Sequence, residues 1–224
     1  MEQVKFENLN QRRSRYSSDE PREFMVGFIP HKSGTYRIEI DDVIENVSQF
    51  STAVQVLESA KEDDEVIIIL QTDGGNVNAT DAFIHALRKC AAPIHIQASG
   101  GTHSAGTHIL LEGDSIELSA GFNALLHCGS DGAIGGVNEY RIKSAFDEKF
   151  RTRQFKETYE GFLSDKEMDA MLDGKDIWME ADEWMTRAEQ RSNYFRAKYE
   201  ASLKPARKTR KPAAKKAVDK VPQE

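Results

Sequence analysis

The stretch that decides the fold is Gln97-Ala-Ser-Gly-Gly-Thr-His-Ser-Ala-Gly106, in which Ser104 stands between two apolar segments. Residues 93–97 predict a short strand, and residues 105–111 predict the start of a helix. The glycines of this stretch permit a tight turn and a close backbone approach that a side chain would block. A serine at such a turn lies above the sheet edge, beside free N–H groups that favour a developing oxyanion. Taken alone, however, the pattern is more often a serine N-cap in an ordinary βα turn.

The flanking sequence alternates between strand and helix patterns. Residues 65–71, Glu-Val-Ile-Ile-Ile-Leu-Gln, predict a continuous apolar strand that is covered on both faces, and residues 77–90 predict the following helix. After the second strand and helix, a short strand near 114–118 leads to the segment 123–127. This alternation predicts an α/β architecture with parallel strands, whose carboxyl ends are where active sites collect.

The remaining chain divides into an arm, a domain and a tail. We expect residues 1–23 to form a flexible arm, residues 24–203 a single domain, and residues 204–224 a disordered basic tail. Further elements of the domain are strands over 24–29, 35–40 and 176–179, and helices over 46–60, 137–163, 164–172 and 180–203. Ser164 and Glu167 have the spacing of a capping box at the start of one of these helices.

Charge is distributed unevenly along the chain. The net charge is −7, but residues 201–224 contain eight Lys or Arg and two acidic residues, which leaves −13 for residues 1–200. A basic tail on an acidic body predicts different partners for the two ends. The tail has the chemistry to contact nucleic acid or acidic protein, although a merely solubilising tail is the commoner case.

The sequence also indicates a compartment. No apolar run is long enough for a membrane helix, and the N-terminus lacks the hydrophobic centre of a signal peptide, so we expect a cytoplasmic protein without membrane contact. Cys90 and Cys128 provide neither a disulfide framework nor a metal-ligand spacing, and we expect both to be buried, reduced thiols.

Three strand-to-helix loops carry residues suited to acyl transfer. Gly74-Gly75 follows the first strand, Ser104 the second, and His127 a third. A serine nucleophile needs a neighbouring base, and the imidazole of His127 is of the usual type. The base needs an acceptor that fixes its tautomer, for which Asp176 is suitably placed in the sequence. The backbone N–H groups of Gly75 and Ala105 would then form an oxyanion hole, with Gly74 beside them.

Each of these residues also has an ordinary structural explanation. The glycine pair is typical of a simple turn, His127 of a hydrogen-bonded core histidine, and Asp176 of any acidic segment. His103 and His108 could join His127 around zinc, but their spacing of five residues is poor for helical ligands. The catalytic interpretation therefore depends on all of the residues occurring together, in a consistent order.

Four segments together resemble the ClpP-like serine peptidases, which are the proteolytic subunits of the Clp protease. These segments are Ile68-Ile-Leu-Gln-Thr-Asp-Gly-Gly75, Gly100-Gly-Thr-His-Ser-Ala-Gly106, Ala124-Leu-Leu-His127 and Asp176-Ile-Trp-Met-Glu-Ala181, and the resemblance extends from Phe24 to Ala188. It implies the ClpP/crotonase fold, with repeated ββα units, a helical handle and a C-terminal helix.

By the same resemblance, Ser104 is the nucleophile, His127 the general base and Asp176 the orienting acid, with Gly74 or Gly75 and Ala105 at the oxyanion hole. The implied activity is hydrolysis of unfolded or flexible polypeptides inside a homo-oligomeric ring, with an AAA+ unfoldase as a partner. No cofactor or metal is expected. The glycine-rich segments lack the Lys-Ser/Thr of a phosphate loop, so any ATP dependence would belong to the partner.

The chain also departs from the common family pattern. Cys128-Gly129 stands where Gln-Pro is usual, helix continues through Thr186, and the basic tail has no counterpart. These departures would fit a divergent, phage-encoded member. Two other functions stay open at this point: a crotonase-type acyl-CoA enzyme, and a phage assembly or scaffold-processing factor whose tail contacts nucleic acid.

Overall fold

The computed structural model describes residues 24–29, 33–129 and 136–203. The predicted N-terminal arm, residues 1–23, and the predicted basic tail, residues 204–224, lie outside the described residues. None of the described helices is both long and apolar enough to cross a membrane.

A mixed sheet of seven strands forms the centre of the described chain. The strands are β1 Met25–Ile29, β2 Thr35–Ile40, β3 Glu65–Thr72, β4 Ile94–His103, β5 Ser115–Leu118, β6 Asn123–Leu126 and β7 Ile177–Glu180. Their order is β1-β2-β3-β4-β6-β7, with β5 paired to β4. The inner strands from β2 to β6 pair in parallel, whereas β1 and β7 are antiparallel to their neighbours. The predicted α/β class is therefore confirmed.

The helices follow the predicted order, with shorter bounds. They are α1 Ser51–Ser59, α2 Val77–Leu87, α3 Ala105–Leu110, α4 Val137–Thr158, α5 Asp165–Leu172 and α6 Ala181–Leu203. The helix predicted over 46–60 begins as a 3-10 turn, Val47–Phe50, before α1. The capping box of α5 is present, because the Ser164 N–H donates to the Glu167 carboxylate at 2.9 Å and the Ser164 hydroxyl accepts from the Glu167 N–H.

Strand β4 is longer than its sequence pattern indicated. It continues through Gly100 and Gly101 to His103, six residues beyond the predicted end at residue 97, and the predicted strand-to-helix turn is confined to Ser104. Leu70 pairs with Ala98 but Thr72 with Thr102, so β4 contains two more residues than β3 over this interval. At this bulge the opposite edge of β4 changes partner, from β5 at residues 95–98 to β6 at residues 101–103. An irregularity of this kind bends a strand, and here it directs Ser104 towards β6.

The core lies mainly on one side of the sheet. Val66, Ile68 and Leu70 of β3 are fully buried, whereas Ile67 and Ile69 between them are only half-buried. The expectation that both faces of β3 are covered is therefore wrong for this chain, because the core cluster gathers on the face of the alternate residues. Cys90 and Cys128 are free thiols, as expected, but both are half-buried rather than buried.

An ion pair joins α5 and α6, the helices before and after β7. Arg187 of α6 donates to both carboxylate oxygens of Glu167 on α5, at 2.7 and 3.1 Å, and also to Glu183 at 2.7 Å. These hydrogen bonds from the Arg187 guanidinium are the main reason that the pKa of Glu167 is lowered to about 2. Because the folded pKa lies below the ordinary 4.5, the pair stabilises the fold above that pH.

We predict that Glu167→Gln lowers the free energy of unfolding by about 1 kcal/mol at neutral pH, after allowance for solvent screening. The difference from wild type should shrink as the pH falls from 4.5 towards 2, where the native carboxylate takes up its proton. Denaturant unfolding at a series of pH values measures this difference in the free energy of unfolding. Glu189→Gln, at an exposed position of α6, serves as the control and should leave stability unchanged; an equal effect of both substitutions would contradict the prediction.

Candidate active site

Ser104 has a strained backbone between β4 and α3. Its φ of 51° and ψ of −122° make it the one residue other than glycine with a positive φ in the described part of the chain. Such a conformation costs on the order of 1–3 kcal/mol and persists only where the surroundings impose it. The Ser104 N–H donates to the carbonyl of Leu125 at 2.7 Å, and the Ser104 carbonyl accepts from the Thr107 N–H at 3.0 Å. Both backbone groups of the serine are thus fixed.

The Ser104 side chain does not cap the helix that follows it. It accepts no hydrogen bond from the first turn of α3, although it occupies the N-cap position. The alternative of an ordinary N-capping serine is therefore not what the structure contains. Ser104 is half-buried, and its hydroxyl is engaged by no hydrogen bond to the described residues, which leaves it available for chemistry.

A buried hydroxyl chain supports this turn from the helical side. The Thr107 hydroxyl donates to the Ser104 carbonyl at 2.6 Å, since a carbonyl can only accept. That uses its one hydrogen, so at the second contact, also 2.6 Å, the Tyr159 hydroxyl is the donor to Thr107. Burial raises the pKa of Tyr159 well above its ordinary value and keeps the phenol protonated. No local sequence pattern indicated these hydroxyl contacts, because Tyr159 fitted an apolar helical pattern.

The glycine loop after β3 lies directly against the serine turn. Gly74 and Gly75 have φ values of 85° and 137°, which L side chains rarely adopt. A Cβ on Gly74 would lie 2.5 Å from the His103 carbonyl oxygen and 2.9 Å from the Ala105 nitrogen, and one on Gly75 would lie 2.1 Å from the Ile44 carbonyl oxygen. The N–H groups of Gly75 and Ala105 donate to none of the described residues. Two neighbouring loops therefore present free donors beside Ser104.

Strand register brings His127 and Asp176 to the same edge of the sheet. Leu126 pairs with Ile177 at the end of the β6–β7 ladder, so His127 and Asp176 occupy facing positions one residue further on. The contact of Ser104 with Leu125 places the serine turn beside the same end of β6. The backbone thus gathers all three positions. Their side chains, however, form no hydrogen bond with one another in the described structure; His127 is half-buried and Asp176 is exposed.

A second histidine is buried close to His127. His108 of α3 is enclosed by the rings of Phe155 and Tyr159, and its Nδ1 has no hydrogen-bond partner among the described residues. Burial is the main cause that lowers the pKa of His108 to about 4, and the charge of nearby His127 is a second cause. The imidazole of His108 is therefore neutral at pH 7. The described residues contain no group of three His, Cys, Asp or Glu side chains arranged to hold a metal ion, which gives no support to a zinc site.

A sequence model of the family described as Clp protease matches residues 36–189, which is more than half of the chain. The chain belongs to the Clp protease family. No match was found among curated proteins. Among solved structures, a ClpP1 mutant from Listeria monocytogenes is similar with a TM-score of 0.56 and 19% identity, over 68% of this chain and 86% of that chain. At this identity the structural similarity shows the fold alone.

Membership of the Clp protease family identifies the chain as a ClpP-like peptidase and a hydrolase. It also confirms the resemblance drawn from the four sequence segments. In this Clp protease family member, the segments of the resemblance correspond to the glycine loop after β3, the turn at Ser104, the end of β6 and the start of β7. All four meet at one edge of the sheet.

Thr107→Val should lower the free energy of unfolding by about 1–3 kcal/mol, because it leaves the buried Tyr159 hydroxyl without an acceptor and removes one of the two hydrogen bonds to the Ser104 carbonyl. Thr80→Val is the matched control, since Thr80 is equally buried and its hydroxyl also donates to a backbone carbonyl, that of Asn76. Both variants should lose stability in denaturant unfolding. Only Thr107→Val should also slow peptide hydrolysis, because the Thr107 hydroxyl bonds to the serine turn and the Thr80 hydroxyl does not. Equal activity of the two variants would contradict the supporting role of Thr107.

Proposed function

We propose that the chain is a serine endopeptidase in which Ser104 is the nucleophile, His127 the general base and Asp176 the residue that orients the base. The observation that carries the proposal is the serine turn, with a strained backbone, a hydroxyl engaged in no cap, and two free N–H groups beside it. Strain of this kind is commonly stored at functional sites. The meeting of His127 and Asp176 at the same sheet edge supports the remaining roles.

The proposed reaction has two halves. The Ser104 Oγ attacks the carbonyl carbon of the scissile peptide bond while His127 takes the hydroxyl proton. The oxyanion of the tetrahedral intermediate accepts hydrogen bonds from the Gly75 and Ala105 N–H groups, with Gly74 allowing the two loops to approach. His127 then protonates the leaving amine, and the acyl group remains on Ser104. A water molecule, deprotonated by His127, hydrolyses this ester and restores the serine. Asp176 keeps the imidazole in the required tautomer.

We further propose that the active form is a homo-oligomeric ring that degrades unfolded or flexible polypeptides, delivered by an ATP-dependent AAA+ unfoldase. The long helix α4 supports assembly, because it carries apolar side chains in solvent: Val137, Tyr140, Ile142, Phe146 and Phe150. Ile142, Phe146 and Phe150 recur every four residues and therefore form an apolar row on one face of α4. Exposed apolar side chains grouped in this way are typical of an interface. Contact with a second copy through α4 would also explain why the His127 and Asp176 side chains are not yet joined in a single subunit.

Family membership favours this proposal over a crotonase-type acyl-CoA enzyme. A thioester oxyanion requires only paired N–H groups, which would leave the strained turn at Ser104 without a purpose. The phage assembly function depends on the basic tail, which lies outside the described residues, so no structural observation favours it.

Ser104→Ala should lower kcat for hydrolysis of an unfolded protein substrate by about 10³-fold or more, because the acyl-enzyme cannot form. Ser99→Ala is the control, since Ser99 is an exposed serine of the same strand β4. Initial rates of fluorescent casein degradation measure both variants. We expect Ser99→Ala to retain wild-type activity, and full activity of Ser104→Ala would exclude the proposed nucleophile.

Phe146→Glu should shift the protein from rings to smaller species in native mass spectrometry, because it inserts a charge into the apolar row of α4. Phe146 and Tyr199 are each 65% exposed, so Tyr199→Glu on α6 tests the same insertion outside that row. We expect Tyr199→Glu to assemble like wild type. An unchanged mass distribution for Phe146→Glu would show that α4 is not the interface.

A further inference from the structure

We propose that His103 is a positioning residue that fixes the glycine loop, residues 73–75, against the serine turn. This inference rests on the peptidase function proposed above and adds to it a residue outside the triad and the oxyanion hole. His103 is the last residue of β4 and directly precedes Ser104. Its side chain lies on the face of the sheet opposite to that of buried Thr102.

Two hydrogen bonds hold the imidazole at opposite ends. Nδ1 contacts the Asp73 carboxylate oxygen Oδ1 at 3.0 Å, and Nε2 contacts the Asn123 side-chain oxygen at 2.9 Å. The Asn123 amide nitrogen donates to the Gly121 carbonyl at 3.4 Å, which turns its oxygen towards the ring. Both partners of the imidazole are therefore acceptors, and each ring nitrogen that carries a hydrogen donates to one of them. The side chain connects the loop after β3 with the start of β6.

Gly101 and Trp178 enclose this ring on two sides. A Cβ on Gly101 would lie 2.8 Å from the His103 Cε1 and 3.0 Å from its Nε2, so the strand carries a glycine where the ring lies flat on it. Trp178 of β7 meets the imidazole edge to face, with ring centroids 5.4 Å apart. The His103 side chain is only 18% exposed as a result. Because the ring is confined in this way, its hydrogen bond can hold the Asp73 carboxylate in one position.

The contact with Asp73 acts directly on the oxyanion loop. Asp73 precedes Gly74, and the Gly74 backbone lies so close to the His103 carbonyl that no Cβ would fit between them. His103 therefore holds the loop twice, through its backbone and through its imidazole. On the far side, the loop is anchored by the Gly74 carbonyl, which accepts from the Ile44 N–H at 2.8 Å. Together these contacts set the distance between the N–H groups of Gly75 and Ala105.

Loss of the imidazole contact should therefore affect the transition state more than substrate binding. A displacement of about 1 Å in a catalytic group can cost about 10²-fold in rate. An oxyanion donor acts mainly on the tetrahedral intermediate, so its displacement lowers kcat and leaves KM nearly unchanged. A residue with a merely structural role would lower the amount of folded protein without this division between kcat and KM.

The test compares variants that retain different parts of the contact. An asparagine amide reaches the position of Nδ1 and a glutamine amide that of Nε2. His103→Asn should keep kcat within about threefold of wild type, whereas His103→Gln and His103→Ala should lose about 10- to 100-fold with KM unchanged. Asp73→Asn retains an acceptor and should stay active, but Asp73→Ala should match His103→Ala. His85→Ala, at an exposed position of α2, should have no effect.

The Asp73 variants keep the test decisive if His103→Ala fails to fold, because the Asp73 side chain is 80% exposed and its removal disturbs no core. The double variant His103→Ala/Asp73→Ala should be no slower than either single variant, since both remove one contact. Wild-type kcat in Asp73→Ala, or fully additive losses in the double variant, would overturn the proposal. If either result is found while Ser104→Ala is inactive, only the role of His103 is rejected. If Ser104→Ala is itself active, the peptidase mechanism is rejected.

Discussion

The hydrogen bonds that hold the backbone of Ser104 are the constraint on which the rest of the site depends. A serine at a φ of 51° would relax to an ordinary helix cap without them. The Leu125 carbonyl fixes its N–H, and Thr107 fixes its carbonyl through both an N–H and a hydroxyl. The buried phenol of Tyr159 in turn fixes the Thr107 hydroxyl. The unengaged hydroxyl of the serine is thus a consequence of contacts that reach from β6 to the end of α4.

The sheet provides these contacts through one irregularity. The part of β4 that contains extra residues relative to β3 is also the part where its other edge passes from β5 to β6. This change of partner brings the serine turn, the glycine loop and the β6–β7 ends to a common edge. Fold and site are therefore closely linked here, since the residues of β4 just before Ser104 pair with β6, the strand that His127 follows.

Sequence reasoning predicted the order of elements and the four segments that meet at the site, because alternation, glycines and caps are local signals. It ended β4 too early, at residue 97, because glycine serves equally in turns and where another group approaches a strand. At Gly101 the approaching group is the imidazole of His103, which is distant information that no local pattern contains. The same reason explains why Thr107, Tyr159 and the His103–Asp73 contact were not foreseen. The half-buried second face of β3 also escaped prediction, since an apolar run does not reveal what covers it.

The central claim is that Ser104 is the residue made reactive by this arrangement. The most direct measurement is to treat the assembled wild-type protein with a fluorophosphonate and to locate the adduct by peptide mass mapping. We predict one phosphonylated serine, Ser104, with a stoichiometry that approaches one per chain. A protein that remains unlabelled, or an adduct on any other residue, would contradict it.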